Sequence, residues 1–196
     1  MPYKPATKIL HWLIMLSVGT QLFSQYWMFV PAPDKEPQAE WMAWLFICHL
    51  LIGILALCFV SVRLMSVLEN NEDQKQLFPW LSKKGLFLLI NEIKKIPSWL
   101  NSGPPKPEQK NKVATTVHGL GLLLLFALGS TGILFFIGID TDGAMNASTR
   151  FFRESHEIFA ILLYLYLSGH IGMLMVHLSQ GQKQILSIFS TKEEKD

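Results

Sequence analysis

Four stretches of this chain run without a charged side chain for long enough to cross a bilayer: 9–30, 41–62, 113–139 and 158–178. At a rise of ~1.5 Å per residue, a helix needs ~20 apolar residues to match a hydrocarbon layer of ~30 Å. A helix that is apolar all round needs an apolar solvent or a deep core, so these runs dictate a membrane fold. Composition agrees, because only 16% of residues are charged where soluble domains carry ~25%. The first run is far longer than the ~7–15 residues of a signal core. Although Val30, Pro31 and Ala32 loosely resemble a small-residue cleavage site, that run is expected to be retained as a span. The fourth helix is expected to open near residue 153, giving spans of about 9–30, 41–62, 113–139 and 153–178 in one domain covering 1–196.

Orientation follows from where the lysines and arginines fall. Lys4 and Lys8 precede the first span. The loop after the second span carries Lys75, Lys83, Lys84, Lys94, Lys95, Lys106, Lys110 and Lys112, and Lys183, Lys192 and Lys195 follow the last span. The other two loops hold only Lys35, Arg150 and Arg153. Basic loops stay on the inner side, which places both termini and the long middle loop in the cytoplasm. No nucleic-acid partner is expected.

The connections differ in kind. Residues 31–40 are short, broken by Pro31, Pro33 and Pro37, and acidic at Asp34, Glu36 and Glu40, as suits a tight outer turn between antiparallel helices. In the middle loop, 77–100 mixes Leu86, Phe87, Leu89, Ile90, Ile93 and Ile96 with four lysines. That mixture predicts a short basic amphipathic helix lying on the anionic cytoplasmic leaflet, ended by Pro97. Residues 102–107 are a Gly/Pro connector, and 140–153 form a polar outer loop. The expected fold is all-α: a four-helix transmembrane bundle with an additional cytoplasmic interfacial amphipathic helix. Trp27, Trp41 and Trp44 flank the outer turn as an aromatic belt. Cys48 and Cys58 lie in the second span and are expected as free thiols buried in the bundle. No C-x-x-C-H motif is present for covalent haem attachment.

Chemistry concentrates in the histidines. All six, His11, His49, His118, His156, His170 and His177, fall in or at the edge of a span. Ionisable groups at membrane depth are costly, and they usually face the bundle interior with a function. His156 and His170 are fourteen residues apart on one predicted helix, an advance of ~21 Å that ends ~40° short of four full turns. Their imidazoles therefore share a face, one near each side of the bilayer, as two metal centres stacked across a membrane require. Depth pairs His49 with His156 on the outer side. On the inner side it offers His11 to His170 and leaves His118 as a rival. Two haems b, each held non-covalently between two imidazoles, have no open position at iron and suit electron transfer. Gly53, one turn after His49, is a candidate gap for a haem plane or a simple packing contact. Gly132 lies fourteen residues after His118 and shares its face. Arg63, Arg153, Lys4 and Lys8 are candidate partners for a propionate, and Arg63 equally for a quinone head group or a snorkelling end to its span.

Several of these residues are shared with a known family. His11-Trp12 opens the first span, His49-Leu50-Leu51-Ile52-Gly53 and Val62-Arg63-Leu64 mark the second, and Ser155-His156-Glu157 is followed by His170 and, seven residues on, by His177. In these the chain resembles the bacterial cytochrome b561 and nickel–iron hydrogenase b-type cytochrome family from about Lys4 to Phe189. The resemblance implies haem ligands His49 with His156 outside and His11 with His170 inside, so it decides for His11 over His118. It also implies a quinone near the inner haem, with His118, Arg63 and His177 as candidate neighbours, and a periplasmic redox subunit or cytochrome as electron partner. The expected function is electron transfer between that partner and the quinone pool, as a subunit of a larger oxidoreductase. The alternative in the same family is a stand-alone superoxide:quinone oxidoreductase. A haem-free transporter or structural protein would require the histidine alignment to be an accident. Besides quinone and a redox partner, the expected contacts are membrane lipid and, in an oligomer, other copies. The acidic positions Asp34, Glu36, Glu40, Asp140 and Asp142 are candidate docking charges for the partner.

Overall fold

The computed structural model describes residues 5–31, 39–105, 111–140 and 143–189. Asp34, Glu36, Asp142, Lys4, Lys106, Lys110, Lys192 and Lys195 therefore lie outside the described residues. The chain is all-helical, with no strand among the described residues. In order it forms α1 (Pro5–Ser24), α2 (Glu40–Glu69), α3 (Asn71–Leu77), a 3₁₀ turn (Pro79–Leu81), α4 (Lys83–Ile93) and α5 (Ile96–Ser102). There follow α6 (Lys112–Gly138), α7 (Ala147–Ser179) and a closing 3₁₀ segment (Lys183–Ile188).

Three helices, α2, α6 and α7, are long and apolar enough to cross a membrane, so this is a multi-pass membrane protein. Trp41, Trp44, Leu51, Leu55, Leu134, Ile137, Ile161 and Leu165 all stand exposed on them, as side chains that meet lipid do. The expected first span differs in extent. Its helix begins at Pro5 but stops at Ser24, six residues before Val30. The amides of Trp27 and Met28 both turn back onto the Ser24 carbonyl, and the Phe29 amide bonds the Met42 carbonyl at the start of α2. Lys8, Ser17, Thr20 and Gln21 interrupt the apolar surface of α1.

Two compact units divide the chain. One takes its residues from Met1–Ile9, Arg63–Leu123 and Tyr164–Asp196, the other from Leu10–Val62 and Leu124–Leu163. In the first unit the middle loop folds into several short pieces, because its sequence is punctuated. The Asn70 side chain caps α3 by accepting from the amides of Glu72 and Asp73, and Ser82 caps α4 through the Gly85 amide. Pro79 opens the 3₁₀ turn. Pro97 does not end a helix, as the sequence had suggested; it sits in the first turn of α5, where its missing N–H has no intrahelical partner to lose. Gly85 and Leu89, one turn apart, bury one face of α4, while Leu86, Phe87, Ile90 and Ile93 remain exposed. The start of α6 is held twice: Asn111 Oδ1 accepts from the Val113 and Ala114 amides, and the Glu92 carboxylate from α4 accepts from those of Lys112 and Val113. Removing this cap with Asn111→Ala is expected to destabilise the protein by ~1 kcal/mol, read as a lower thermal midpoint in detergent.

In the second unit α6 passes into α7 through a turn closed by an Ile139–Met145 bridge. Asn146 caps α7 by accepting from the Thr149 amide, and the buried Thr149 hydroxyl donates to the Gly138 carbonyl. Val18, Val60, Phe135 and Leu163 are its buried apolar residues, and the Phe46 and Phe136 rings meet at 6.3 Å. Trp27 and Trp41 lie 6.5 Å apart with both rings about half exposed. Cys48 and Cys58 are exposed free thiols, not buried ones. The helix carrying them is apolar on every side, so its sequence alone does not mark the inward face.

Candidate functional site

Four helices of the second unit converge on one pair of imidazoles. His49 on α2 and His156 on α7 have ring centres 6.5 Å apart with planes at 77°. Both rings are half-buried. The last turn of α1 holds His49 at two points: Gln21 Nε2 donates to its backbone carbonyl at 2.5 Å, and Ser24 Oγ lies 2.9 Å from its Nδ1. Gly53, one turn further along α2, leaves space that the Gln21 amide takes up; a Cβ there would stand 3.2 Å from Gln21 Nε2. That space therefore serves α1–α2 packing. The Gln21 Oε1 is buried with no partner among the described residues.

His156 is seated on α6. Its Nδ1 lies 2.9 Å from the Leu128 carbonyl, which can only accept, so Nδ1 carries the proton and Nε2 keeps its lone pair. The ring reaches that carbonyl because Gly132 has no side chain. A Cβ at Gly132 would lie 2.9 Å from His156 Cε1 and 3.0 Å from Nδ1. Ser24, Gln21 and the acceptor at Leu128 were missed in the sequence. Gln21 and Ser24 carried a usable signal, being polar side chains three residues apart on a largely apolar helix.

The first unit holds a second histidine pair. His118 on α6 and His170 on α7 have ring centres 5.2 Å apart, edge to face. Tyr166, one turn before His170, stacks on it at 5.6 Å and 19°, and its phenol fits against Gly121, where a Cβ would collide with it. His118 donates Nδ1–H to the Ala114 carbonyl on its own helix at 2.7 Å. His11 is half-buried on α1, among the residues of the second unit. His177 is buried and donates Nδ1–H to Gln182 Oε1 at 2.7 Å, while the Gln182 amide bonds the His177 carbonyl. That places it as a fastening at the C-terminal end of α7. Arg63 is half-buried on α2.

The spacing of the His49 and His156 rings is compatible with a haem. Two imidazoles that bond one metal from opposite sides through ~2 Å bonds have ring centres ~6 Å apart. The observed 6.5 Å leaves that room; the 5.2 Å between His118 and His170 does not. No group of three or more His, Cys, Asp or Glu side chains among the described residues is placed to hold a bare metal ion. Two imidazoles would leave such an ion short of ligands, whereas a haem brings four ring nitrogens of its own. Hydrogen-bonded Nδ1 atoms are the outer support that metal-binding histidines generally have.

Comparison with curated proteins and with solved structures finds no match to the chain. The sequence profile of one family, described as prokaryotic cytochrome b561, matches residues 2–191. Helices that span a membrane and a match over nearly the whole sequence lead to one assignment: the chain belongs to the prokaryotic cytochrome b561 family, as a haem-b-binding, electron-transferring membrane protein.

Proposed function

We propose that the protein is a di-haem b cytochrome of the bacterial inner membrane that passes electrons between a periplasmic redox partner and the quinone pool, as a subunit of a larger oxidoreductase. The observation that carries this reading is the His49–His156 pair, whose separation and hydrogen-bonded Nδ1 atoms suit two axial ligands of one iron. The second haem is assigned to His170 with His11, on the family pattern. His118, which crowds His170 too closely to share an iron with it in this arrangement, is a packing partner of that ring and a neighbour of the quinone. α1 serves as the fourth span, and both termini are cytoplasmic. α4, with lysines at both ends and exposed Leu86, Phe87, Ile90 and Ile93, lies on the cytoplasmic membrane surface.

A bound haem supplies a one-electron carrier; the chain's residues decide where it sits and what reaches it. His49 and His156 would hold it, with Ser24 and the Leu128 carbonyl steadying their rings through Nδ1. Glu40 and Asp140 offer negative charge to a docking partner on the outer side.

Pyridine haemochrome analysis of the purified protein is expected to give two haems b per chain, and both are expected to be reduced on adding a quinol. One haem per chain would refute the di-haem reading. Isolation without any partner, together with rapid haem reduction by superoxide, would replace the subunit reading with that of a superoxide:quinone oxidoreductase.

A further inference from the structure

We propose that Ser24 is a positioning residue that fixes the tautomer of His49 and strengthens its Nε2 as a metal ligand, lowering the reduction potential of the outer haem. The inference rests on the reading of His49 as a haem ligand and adds to it a hydrogen-bond relay with a defined direction.

Ser24 is the last residue of α1 and is 3% exposed. Its hydroxyl has two neighbours: the Gln21 carbonyl at 3.1 Å and His49 Nδ1 at 2.9 Å. A hydroxyl has one proton and a carbonyl can only accept. With the Ser24 proton donated to Gln21, the hydroxyl oxygen faces His49 as an acceptor, so Nδ1 must carry a proton. The relay therefore runs His49 Nδ1–H to Ser24 Oγ–H to the Gln21 carbonyl. Reversing it would abandon the Gln21 bond and move the imidazole proton to Nε2, where it would block ligation. The helix carbonyl thus selects the ligating tautomer. Gln21, one turn earlier, bonds the His49 backbone, so a single turn of α1 holds both the chain and the ring of His49.

The two imidazoles of this pair are supported unequally. His156 gives its Nδ1 proton to the Leu128 backbone carbonyl, which no substitution of Leu128 removes. His49 gives its proton to a hydroxyl that one substitution deletes. An acceptor on Nδ1–H raises the basicity of the ligating nitrogen, and a more basic axial ligand favours the ferric state. Removing the acceptor therefore raises the potential.

The test is redox potentiometry of the purified holoprotein, following the α-band, with haem content measured in parallel. Ser24→Ala is expected to keep both haems and to shift one of the two redox components to a more positive potential, leaving the other in place. Ser24→Thr, which keeps the hydroxyl, is expected to restore the wild-type value. Unchanged potentials in Ser24→Ala with both haems bound would overturn the proposal, as would a shift of the same size in Ser24→Thr. Should Ser24→Ala lose a haem, the threonine variant decides: two haems at the wild-type potentials uphold the role of the hydroxyl, and loss there too overturns it. Failure of the ligand reading is separately visible, because His49→Ala would then retain two haems.

Discussion

His156→Ala is expected to lose the outer haem completely and keep the inner one, and His170→Ala to do the reverse. A haem held by two axial imidazoles loses half of its protein ligation when one becomes a methyl group. The remaining imidazole, His49 in the first case, still donates its Nδ1 proton to Ser24 and has no second ligand across the gap. The helix itself does not suffer, since alanine is the best helix former and both residues lie inside α7. His177→Ala is the matched control on the same helix. Its ring is tied to Gln182 past the end of α7, so both haems are expected to remain. The measurement is pyridine haemochrome per chain, and two haems in His170→Ala would sink the assignment. On the inner side, His11→Ala is expected to cost a haem and His118→Ala to retain both. The opposite result would make His118 the ligand and require its ring to swing away from the 5.2 Å contact with His170.

What was legible beforehand tracks the strength of the physical signal. Uninterrupted apolar runs locate α2, α6 and α7 to within a few residues at most ends, because a helix that crosses a bilayer needs ~20 apolar residues in a row. α2 nevertheless continues past Val62 to Glu69, since Arg63 is a good helix former and a charge at the bilayer edge does not break a helix. The early end of α1 was not readable. Residues 25–30 stay uncharged and, after Gln25, largely apolar, and what turns the chain is a set of backbone bonds to the Ser24 carbonyl that hydropathy does not encode. The composition of the middle loop is amphipathic on average, which predicts one amphipathic helix. Ser82 as a cap and Pro97 as a first-turn residue cut it into pieces. In the site, depth along antiparallel helices was enough to set His49 beside His156. It was blind to what holds them. Gly53 was singled out for the right reason, a missing side chain, but the visitor is the Gln21 amide. Gly132 was tied to His118 by spacing along α6, whereas it is His156, from another helix, that occupies its gap.

Gly132→Val is expected to abolish binding of the outer haem as effectively as loss of His156, although it changes no ligand. A Cβ at this position would stand 2.9 Å from His156 Cε1 and 3.0 Å from Nδ1, when carbon atoms pack at ~3.5–4.0 Å. The ring has to retreat by about half an ångström or more for alanine, and further for the two methyl groups of valine. Retreat breaks the Nδ1–H bond to Leu128, which is what sets the tautomer and the direction of Nε2. Overpacking of this kind costs ~1–3 kcal/mol, so Gly132→Ala is expected to weaken haem binding by roughly five- to more than a hundredfold, with valine beyond that. Instability of α6 cannot account for such a loss, since alanine in place of glycine favours a helix by ~1 kcal/mol. Gly129→Ala separates general crowding of α6 from this specific contact. Its Cβ would meet Leu57 Cβ and Cδ1, both at 3.1 Å, a contact of comparable tightness on the same helix that does not touch the His156 ring. Both haems are expected in Gly129→Ala, and a haem titration that finds equal losses at the two glycines would show that α6 packing, not the seat of His156, is what Gly132 protects.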